Sequence, residues 1–203
     1  MKFAARFALS CITALAFSTS ASAGVIVDTG TGSVPYGGAG LFAGQWLANS
    51  FTISEAQTIT GVNGWLGGNR GNLRIGIRST VNALPGTLLY SATTAPTTGP
   101  DNAWVGVSNL DWTLDAGTYF VSFDVPVGGY VFGGGMGQGA ANPVGIAAFT
   151  DDNGNWRVWS GLALGMQVFG TPAAVSGDVP EPSSFSLSAL AIAALVAARR
   201  KRA

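Results

Sequence analysis

Few side chains in the central part of this chain could carry out chemistry. The sequence has no histidine, a single cysteine at Cys11, and lysines only near its two ends, at Lys2 and Lys201. Histidine is the commonest general base and metal ligand, and lysine is the Schiff-base nucleophile. The sequence therefore excludes Ser-His-Asp and Cys-His sites and imidazole-built zinc centres, and it predicts no catalytic residue and no cofactor.

Carboxylates remain as possible catalytic groups. Asp28-Thr29-Gly30 spells the triplet of aspartic proteases, but that chemistry needs two such loops that share a proton, and the sequence has one copy. The triplet is better interpreted as an N-terminal strand that ends in a Thr-Gly turn.

Two carboxylate pairs are candidates for glycoside hydrolysis, Asp111 with Asp115 and Asp124 with Glu55. Such pairs must lie about 5 to 10 Å apart, and the sequence alone does not place them. Turn and solvated-face roles are favoured. A secreted glycan hydrolase that uses carboxylates alone stays open as an alternative function.

The segment from Asp151 to Asn155 has oxygen ligands at alternating positions, so Asp151, Asn153 and Asn155 form a weak Ca²⁺ candidate. A complete EF-hand loop needs glycine at its sixth position and glutamate at its twelfth, where this chain has Trp156 and Leu162. Because Asn-Gly suits the positive φ angles of tight turns, a hairpin is the favoured interpretation.

Tryptophans are numerous for a small domain, and their rings can stack on sugars. The favoured role of each is core packing, with Trp156 and Trp159 as weak candidates for glycan contact. In a regular strand these two would face opposite sides. The segment Gly133–Gly139 lacks the Lys-Ser/Thr and the helix of a phosphate loop, and it is predicted to be a flexible surface loop. The six tryptophans are Trp46, Trp65, Trp104, Trp112, Trp156 and Trp159.

These residues lie in a chain that alternates like β-strands. Leu73, Ile75 and Ile77 alternate with Arg74, Gly76 and Arg78, which gives one apolar and one solvated face. Turn residues, including Leu84-Pro85-Gly86 and Asp115-Ala116-Gly117, separate such runs. The pattern predicts an all-β body, a β-sandwich that is jelly-roll-like. Strands are predicted at 46–53, 58–66, 73–78, 87–92, 104–114, 118–125, 130–133, 146–150 and, in two pieces, 156–169.

Charge is divided unevenly along the chain. The sequence is 47% hydrophobic and only 10% charged, against about 25% charged residues in an average soluble protein. Between residues 24 and 182 there are four arginines and all ten carboxylates, a formal charge of −6. Nucleic-acid binding depends on neutralising phosphates, so the acidic body argues against it.

The N-terminal 23 residues have the pattern of a secretory signal peptide, which is predicted to be helical. Lys2 and Arg6 are followed by an apolar stretch over 7–17 and by small residues at Ala21 and Ala23, where cleavage is expected. The apolar run is too short to favour a permanent membrane helix.

The C-terminus has three successive parts. Pro180-Glu181-Pro182 precedes an apolar run over 185–198, which as a helix would be about 21 Å long, short of a hydrocarbon core of about 30 Å. A basic cluster follows and orients the run with its end in the cytoplasm. This cluster, the predicted stop signal, is Arg199, Arg200, Lys201 and Arg202.

These parts, read as VPEPSS, a short apolar helix and RRKR, resemble a PEP-CTERM sorting signal. The resemblance implies a Gram-negative host that makes exopolysaccharide, and processing by exosortase, an integral-membrane cysteine protease or transpeptidase. It also implies a short transmembrane helix that anchors the chain until processing. The order NSFTIS…TITGVNGWLG…LRIGIRS is similar to extracellular sandwich domains that precede such tails.

The predicted organisation is therefore a signal peptide at 1–23, a β-sandwich body at 24–174, a linker at 175–178 and a sorting signal at 179–203. We expect an exported, non-catalytic protein of the cell surface or of an exopolysaccharide or biofilm matrix, structural or glycan-binding, with exosortase and polysaccharide as partners. A plain membrane-anchored surface protein and the carboxylate hydrolase remain alternatives.

Overall fold

The computed structural model describes residues 23–69, 71–95, 99–126, 133–150 and 155–173. This part of the chain is all-β, which confirms the predicted fold class, and it contains no helix that could cross a bilayer. The predicted signal helix and C-terminal helix lie outside it, as do the linker at 175–178 and the segment 130–132. The strands are β1 Gly24–Asp28, β2 Gly32–Leu41, β3 Trp46–Ile53, β4 Gln57–Asn69, β5 Leu73–Val81, β6 Leu84–Thr94, β7 Gly99–Leu114, β8 Gly117–Asp124, β9 Gly133–Ala140, β10 Ala147–Thr150, β11 Trp156–Val158 and β12 Met166–Pro172.

The strands form two antiparallel sheets. The first sheet is built around the long strand β4, which pairs with β7 along one edge and with β12 and then β9 along the other. Strand β1 extends this sheet beyond β12, and β2 extends it beyond β9. The second sheet has the order β11-β10-β3-β8-β5-β6.

The core lies between the two sheets. Alternation within each strand sends one set of side chains inward, such as Val62 and Leu66 of β4 against Ile75 of β5 and Phe123 of β8, all fully buried. Burying apolar surface is the main favourable term in folding, at about 25 cal/mol per Å². The two sheets therefore make a sandwich, and the alternate side chains of each strand lie on its two outer faces.

The second sheet is curled. Its two edge strands, β11 and β6, contact each other across the outer face. Leu84 and Trp156 both pack there on a small buried cluster of Ala48, Phe120 and Ala148. The outer face of this sheet is therefore a concave surface that can bury polar side chains.

The prediction for Gly133–Gly139 was wrong. The segment forms most of β9, and Gly135, Met136 and Gly137 are buried. A Cβ at Gly135 would lie 2.9 Å from the Ala39 carbonyl oxygen, so β9 is rich in glycine because neighbouring groups approach it closely.

The turn predicted at Leu84-Pro85-Gly86 lies two residues earlier in the structure. These residues begin β6, an edge strand of its sheet, where proline is tolerated. The turn itself is at Asn82 and Ala83, with φ angles of 50° and 61°. Two successive positive φ angles define a type I′ hairpin turn, in which glycine is preferred at the second position.

Replacing Ala83 by glycine should stabilise the protein by about 1 kcal/mol, because alanine at positive φ is sterically strained. Urea unfolding of the wild type and Ala83→Gly measures the change. Ala116→Gly, in the turn before β8, is a control that we expect to give no gain. Destabilisation by Ala83→Gly would contradict the turn assignment.

Candidate functional site

Two tryptophans lie on the outer face of the first sheet, away from the core. Val62 and Leu66 point inward, so Trp65 between them points outward, and Trp104 is its direct partner on β7. The rings meet edge-on, with centroids 5.2 Å apart and planes at 63°. Within the described ranges, neither ring packs against a buried core cluster, and both are partly exposed. Core packing therefore does not explain them.

Glycines make room for Trp65. A Cβ at Gly137 of β9 would lie 2.5 Å from Trp65 Cδ1, and one at Gly165 would lie 2.6 Å from Trp65 Cβ. Real side chains do not approach so closely, so both positions exclude any larger residue while Trp65 keeps this place. The Trp65 side chain therefore packs closely against the backbone at Gly137 and Gly165.

A row of hydrogen-bonded polar side chains crosses the same face. The Asn63 amide donates to Gln167 Oε1 over 3.2 Å, and the Gln167 amide donates to Asp28 Oδ2 over 3.1 Å. Asp28 Oδ1 also accepts a bond of 2.8 Å from the Gly30 backbone N–H. These contacts fix the positions of two amides and a carboxylate on the same outer face as the indole rings.

A third aromatic ring, Phe169, lies further along the face. Phe169 is paired with Gly61 of β4, four residues before Trp65, which corresponds to about 13 Å along the strand. A cleft of ≈ 410 Å³ lies beside it. We call Asn63, Trp65, Trp104, Gln167 and Phe169 the tryptophan face.

The concave face of the second sheet holds a buried ion-pair cluster. Asp124 Oδ2 accepts from Arg74 at 2.8 Å and from Arg78 at 2.7 Å, and the Asp124 side chain is fully buried. Arg78 also donates to Ser122 Oγ and to the Gly86 carbonyl oxygen. A buried charge needs such partners, because burial without them is costly.

Tryptophan rings enclose this cluster. The Arg78 guanidinium carbon lies 5.8 Å from the Trp46 ring centroid and 5.4 Å from that of Trp156, within cation–π range. The two rings are 6.2 Å apart. A cleft of ≈ 690 Å³ opens beside them, lined by Arg78 and Trp156 and by Asn82, Thr87 and Asn155 among others. We call it the concave cleft.

The two tryptophans selected from the sequence lie in different surroundings. Trp156 is half-buried and lines the concave cleft. Trp159 follows the end of β11 and packs edge-on against Phe149, with ring centroids 5.1 Å apart, next to the core. Sequence reasoning missed Trp65 and Trp104. The alternation of Trp104 with the core-facing Val105 and Val107 is the signal that could have identified an outward ring.

The structure separates one of the two carboxylate pairs that the sequence offers for catalysis, Asp124 with Glu55. Asp124 is committed to the ion pairs, and Glu55 follows β3 at the opposite end of β8, about 23 Å away along the strand. That separation exceeds the range for glycosidases of about 5 to 10 Å. Asp111 and Asp115 are exposed, in β7 and in the turn after it.

Asp28-Thr29-Gly30 has a structural role, as the turn interpretation predicted. Asp28 ends β1, and Gly30 follows with a φ of 78°. The fully buried Thr29 hydroxyl donates to the Leu164 carbonyl oxygen over 2.8 Å and accepts from the Met166 N–H. This triplet ties the end of β1 to Leu164 and to the first residue of β12.

Several predicted sites lie outside the described residues. They are Ala21 of the cleavage site, Asp151 and Asn153 of the Ca²⁺ candidate, the Pro180-Glu181-Pro182 motif and the basic cluster Arg199–Arg202. Ala23 and Asn155 are described and exposed. In the described ranges, no three potential acidic or thiol ligands cluster as a metal site would require.

The fold and its surfaces thus define an all-β sandwich with two aromatic faces. Comparison with known families bears on localisation. The model of the PEP-CTERM protein-sorting motif matches residues 178–202, which confirms the resemblance of the C-terminal segment to a PEP-CTERM signal. The motif implies an exported protein that is anchored in the membrane for sorting by exosortase and then reaches the cell surface. No curated protein and no solved structure matches the chain.

Proposed function

We propose that this protein is a non-catalytic, glycan-binding component of the cell surface or matrix. The observation that carries this proposal is the position of Trp65 and Trp104, on an outer face with no core role in the described structure. Partly exposed aromatic rings held in place by glycines suit the apolar faces of sugar rings. The neighbouring amides of Asn63 and Gln167 suit sugar hydroxyls.

Charge favours a neutral polysaccharide. The described cations, Arg74, Arg78 and Arg157, all lie in the second sheet, so the described part of the tryptophan face has none. The carboxylate of Asp28 accepts a hydrogen bond from Gln167 of this face and places a negative charge next to it. Together with the acidic body, this arrangement would repel a polyanion.

The shape of the face favours an extended chain over a single sugar. Phe169 and the Trp65–Trp104 pair lie at the two ends of a strip along β4, and Asn63 lies between them. A linear ligand could contact all three in sequence. This strip places a few polar groups among aromatic rings, as most small-molecule sites do.

We also propose that the sandwich is a jelly roll. Eight strands follow the orders β1-β12-β4-β7 and β3-β8-β5-β6, the connectivity expected of two interlocked Greek keys. Strands β2, β9, β10 and β11 then extend these two sheets. Jelly rolls include lectin domains, so this fold-level analogy is compatible with sugar binding.

The sorting motif sets where binding would occur. We propose that the host is Gram-negative, that the tail over 185–198 anchors the chain transiently, and that exosortase cuts near Pro180-Glu181-Pro182. The released or attached body would then meet exopolysaccharide outside the cell. Purely structural membership of the matrix, without sugar binding, is the outcome if the tryptophan face proves inactive.

The test compares two tryptophans of the same strand. Protein purified from its host is titrated with a panel of soluble neutral polysaccharides, namely a β-glucan, a mannan and a galactan. Trp104→Ala should weaken binding about 10-fold or more while costing little stability, because one stacking ring is removed. Trp112 packs on the core and stacks on Tyr90, so Trp112→Phe should keep binding.

Equal affinity of Trp104→Ala and the wild type would contradict this assignment. An assay for reducing ends on the same samples separates binding from hydrolysis. We expect no release above a protein-free blank. Release that is lost in Asp111→Asn but kept in Trp104→Ala would establish the carboxylate hydrolase instead.

A further inference from the structure

We propose that the body has a second sugar site in the concave cleft, so that one molecule can hold two polysaccharide chains. This inference rests on the proposed function of the tryptophan face and adds a second binding site on the same molecule. Trp156 is the aromatic residue that lines the cleft, and Asn82, Thr87 and Asn155 are exposed polar residues that line it. The indole ring and the amides are groups that the tryptophan face also offers, and Thr87 adds a hydroxyl.

The cleft is held rigidly. Trp156 is positioned by the Arg78 guanidinium at 5.4 Å and by the Trp46 ring at 6.2 Å. Arg78 is fixed in turn by Asp124, Ser122 and the Gly86 carbonyl oxygen. A site whose groups are already ordered loses less entropy when a ligand binds. The cleft is broad and open to solvent, with a volume of ≈ 690 Å³.

The charge of Arg78 does not select an anion. Its guanidinium is paired with the Asp124 carboxylate, 2.7 Å away, and is largely covered, with 9% of the side chain exposed. The other polar lining groups are therefore amides and a hydroxyl, which lie beside an indole ring and the apolar Val81, Leu84 and Pro85. A neutral sugar fits this set better than an acidic one.

The two sites lie on opposite sides of the sandwich. Trp65 and Trp104 face outward from the first sheet, whereas Trp156 faces outward from the second. Packed sheets are about 10 Å apart, and a linear chain on one outer face cannot reach the other without rounding the edge. Two different chains would therefore occupy the two sites, and the protein would cross-link them.

Two measurements test this on protein from its host, with the neutral polysaccharide of the panel that the wild type binds. Calorimetry with short oligosaccharides of it should give two sites per chain. Light scattering with the intact polymer should pass through a maximum as protein is added, as cross-linking requires. Trp156→Ala should bind one oligosaccharide, still bind the polymer, and give no scattering maximum.

Because Trp156 also packs on buried residues, a milder variant guards against misfolding. Thr87→Ala with Asn155→Ala removes two exposed polar groups and should weaken the second site while leaving the fold intact. One site per wild-type chain, or a scattering maximum that survives both variants, would overturn the second site and leave the proposed function standing. Failure of the wild type to bind any panel member would overturn both.

Discussion

Replacing Asp124 by asparagine should lower the free energy of unfolding by about 3–5 kcal/mol, the largest single effect expected in this protein. Asparagine keeps the shape of the side chain but removes the negative charge. The Arg78 and Arg74 guanidinium groups, 9% and 21% exposed in their side chains, would then remain on a largely buried face without the carboxylate that now accepts from both. Urea unfolding followed by tryptophan fluorescence measures the loss.

Asp111→Asn is the matched control. It makes the same chemical change at an exposed carboxylate, where surface substitutions typically change stability by less than about 0.5 kcal/mol. An Asp124→Asn variant as stable as Asp111→Asn would show that the cluster is not what holds the curled second sheet. The same variant should also loosen the concave cleft, because Arg78 positions Trp156.

Replacing Gly137 by alanine should abolish most binding at the tryptophan face, with an affinity loss of about 10-fold or more. The new Cβ would lie 2.5 Å from Trp65 Cδ1 and 2.9 Å from the Asn102 side-chain nitrogen, so the indole ring must move. Overpacking of this kind also costs about 1–3 kcal/mol of stability. Calorimetric titration with the panel polysaccharide that the wild type binds measures the loss of affinity, and urea unfolding measures the loss of stability.

Gly133→Ala in the same strand separates the steric effect from the general cost of changing glycine. No described atom lies within 4 Å of a Cβ at Gly133. We therefore expect wild-type affinity and nearly wild-type stability. If Gly137→Ala binds as well as Gly133→Ala, Trp65 is not part of the site.

Much of the fold was predictable because inward and outward residues alternate. The run Leu73–Arg78 predicted an apolar and a polar face, and the structure puts Leu73, Ile75 and Ile77 in the core. Alternation within a strand does not show which groups the strand packs against. The glycine-rich segment of β9 was therefore predicted to be a loop, because nothing local showed why it needs glycine. Its glycines are explained by a backbone carbonyl of β2 and by the Trp65 ring, both distant in sequence.

The candidate site was less predictable for a related reason. The polar face of β5 was expected to be solvated, but the curled sheet buries Arg78 against Asp124, a residue 46 positions away. Likewise, the outward direction of Trp65 is visible only once the core-facing residues of β4 are known. A bulge near Ile59 shifts that register, and local sequence does not reveal it.

We propose that the C-terminal segment, which carries the sorting motif, is removed from the mature protein. The most direct test is the intact mass of the protein from its own host, compared with a strain that lacks exosortase. We expect the wild-type mass to end near Pro182 and the mutant strain to retain the chain through Arg199–Ala203. Full-length tails in both strains would contradict removal of the C-terminal segment, and the function would then have to be sought in a protein that stays anchored at the membrane surface.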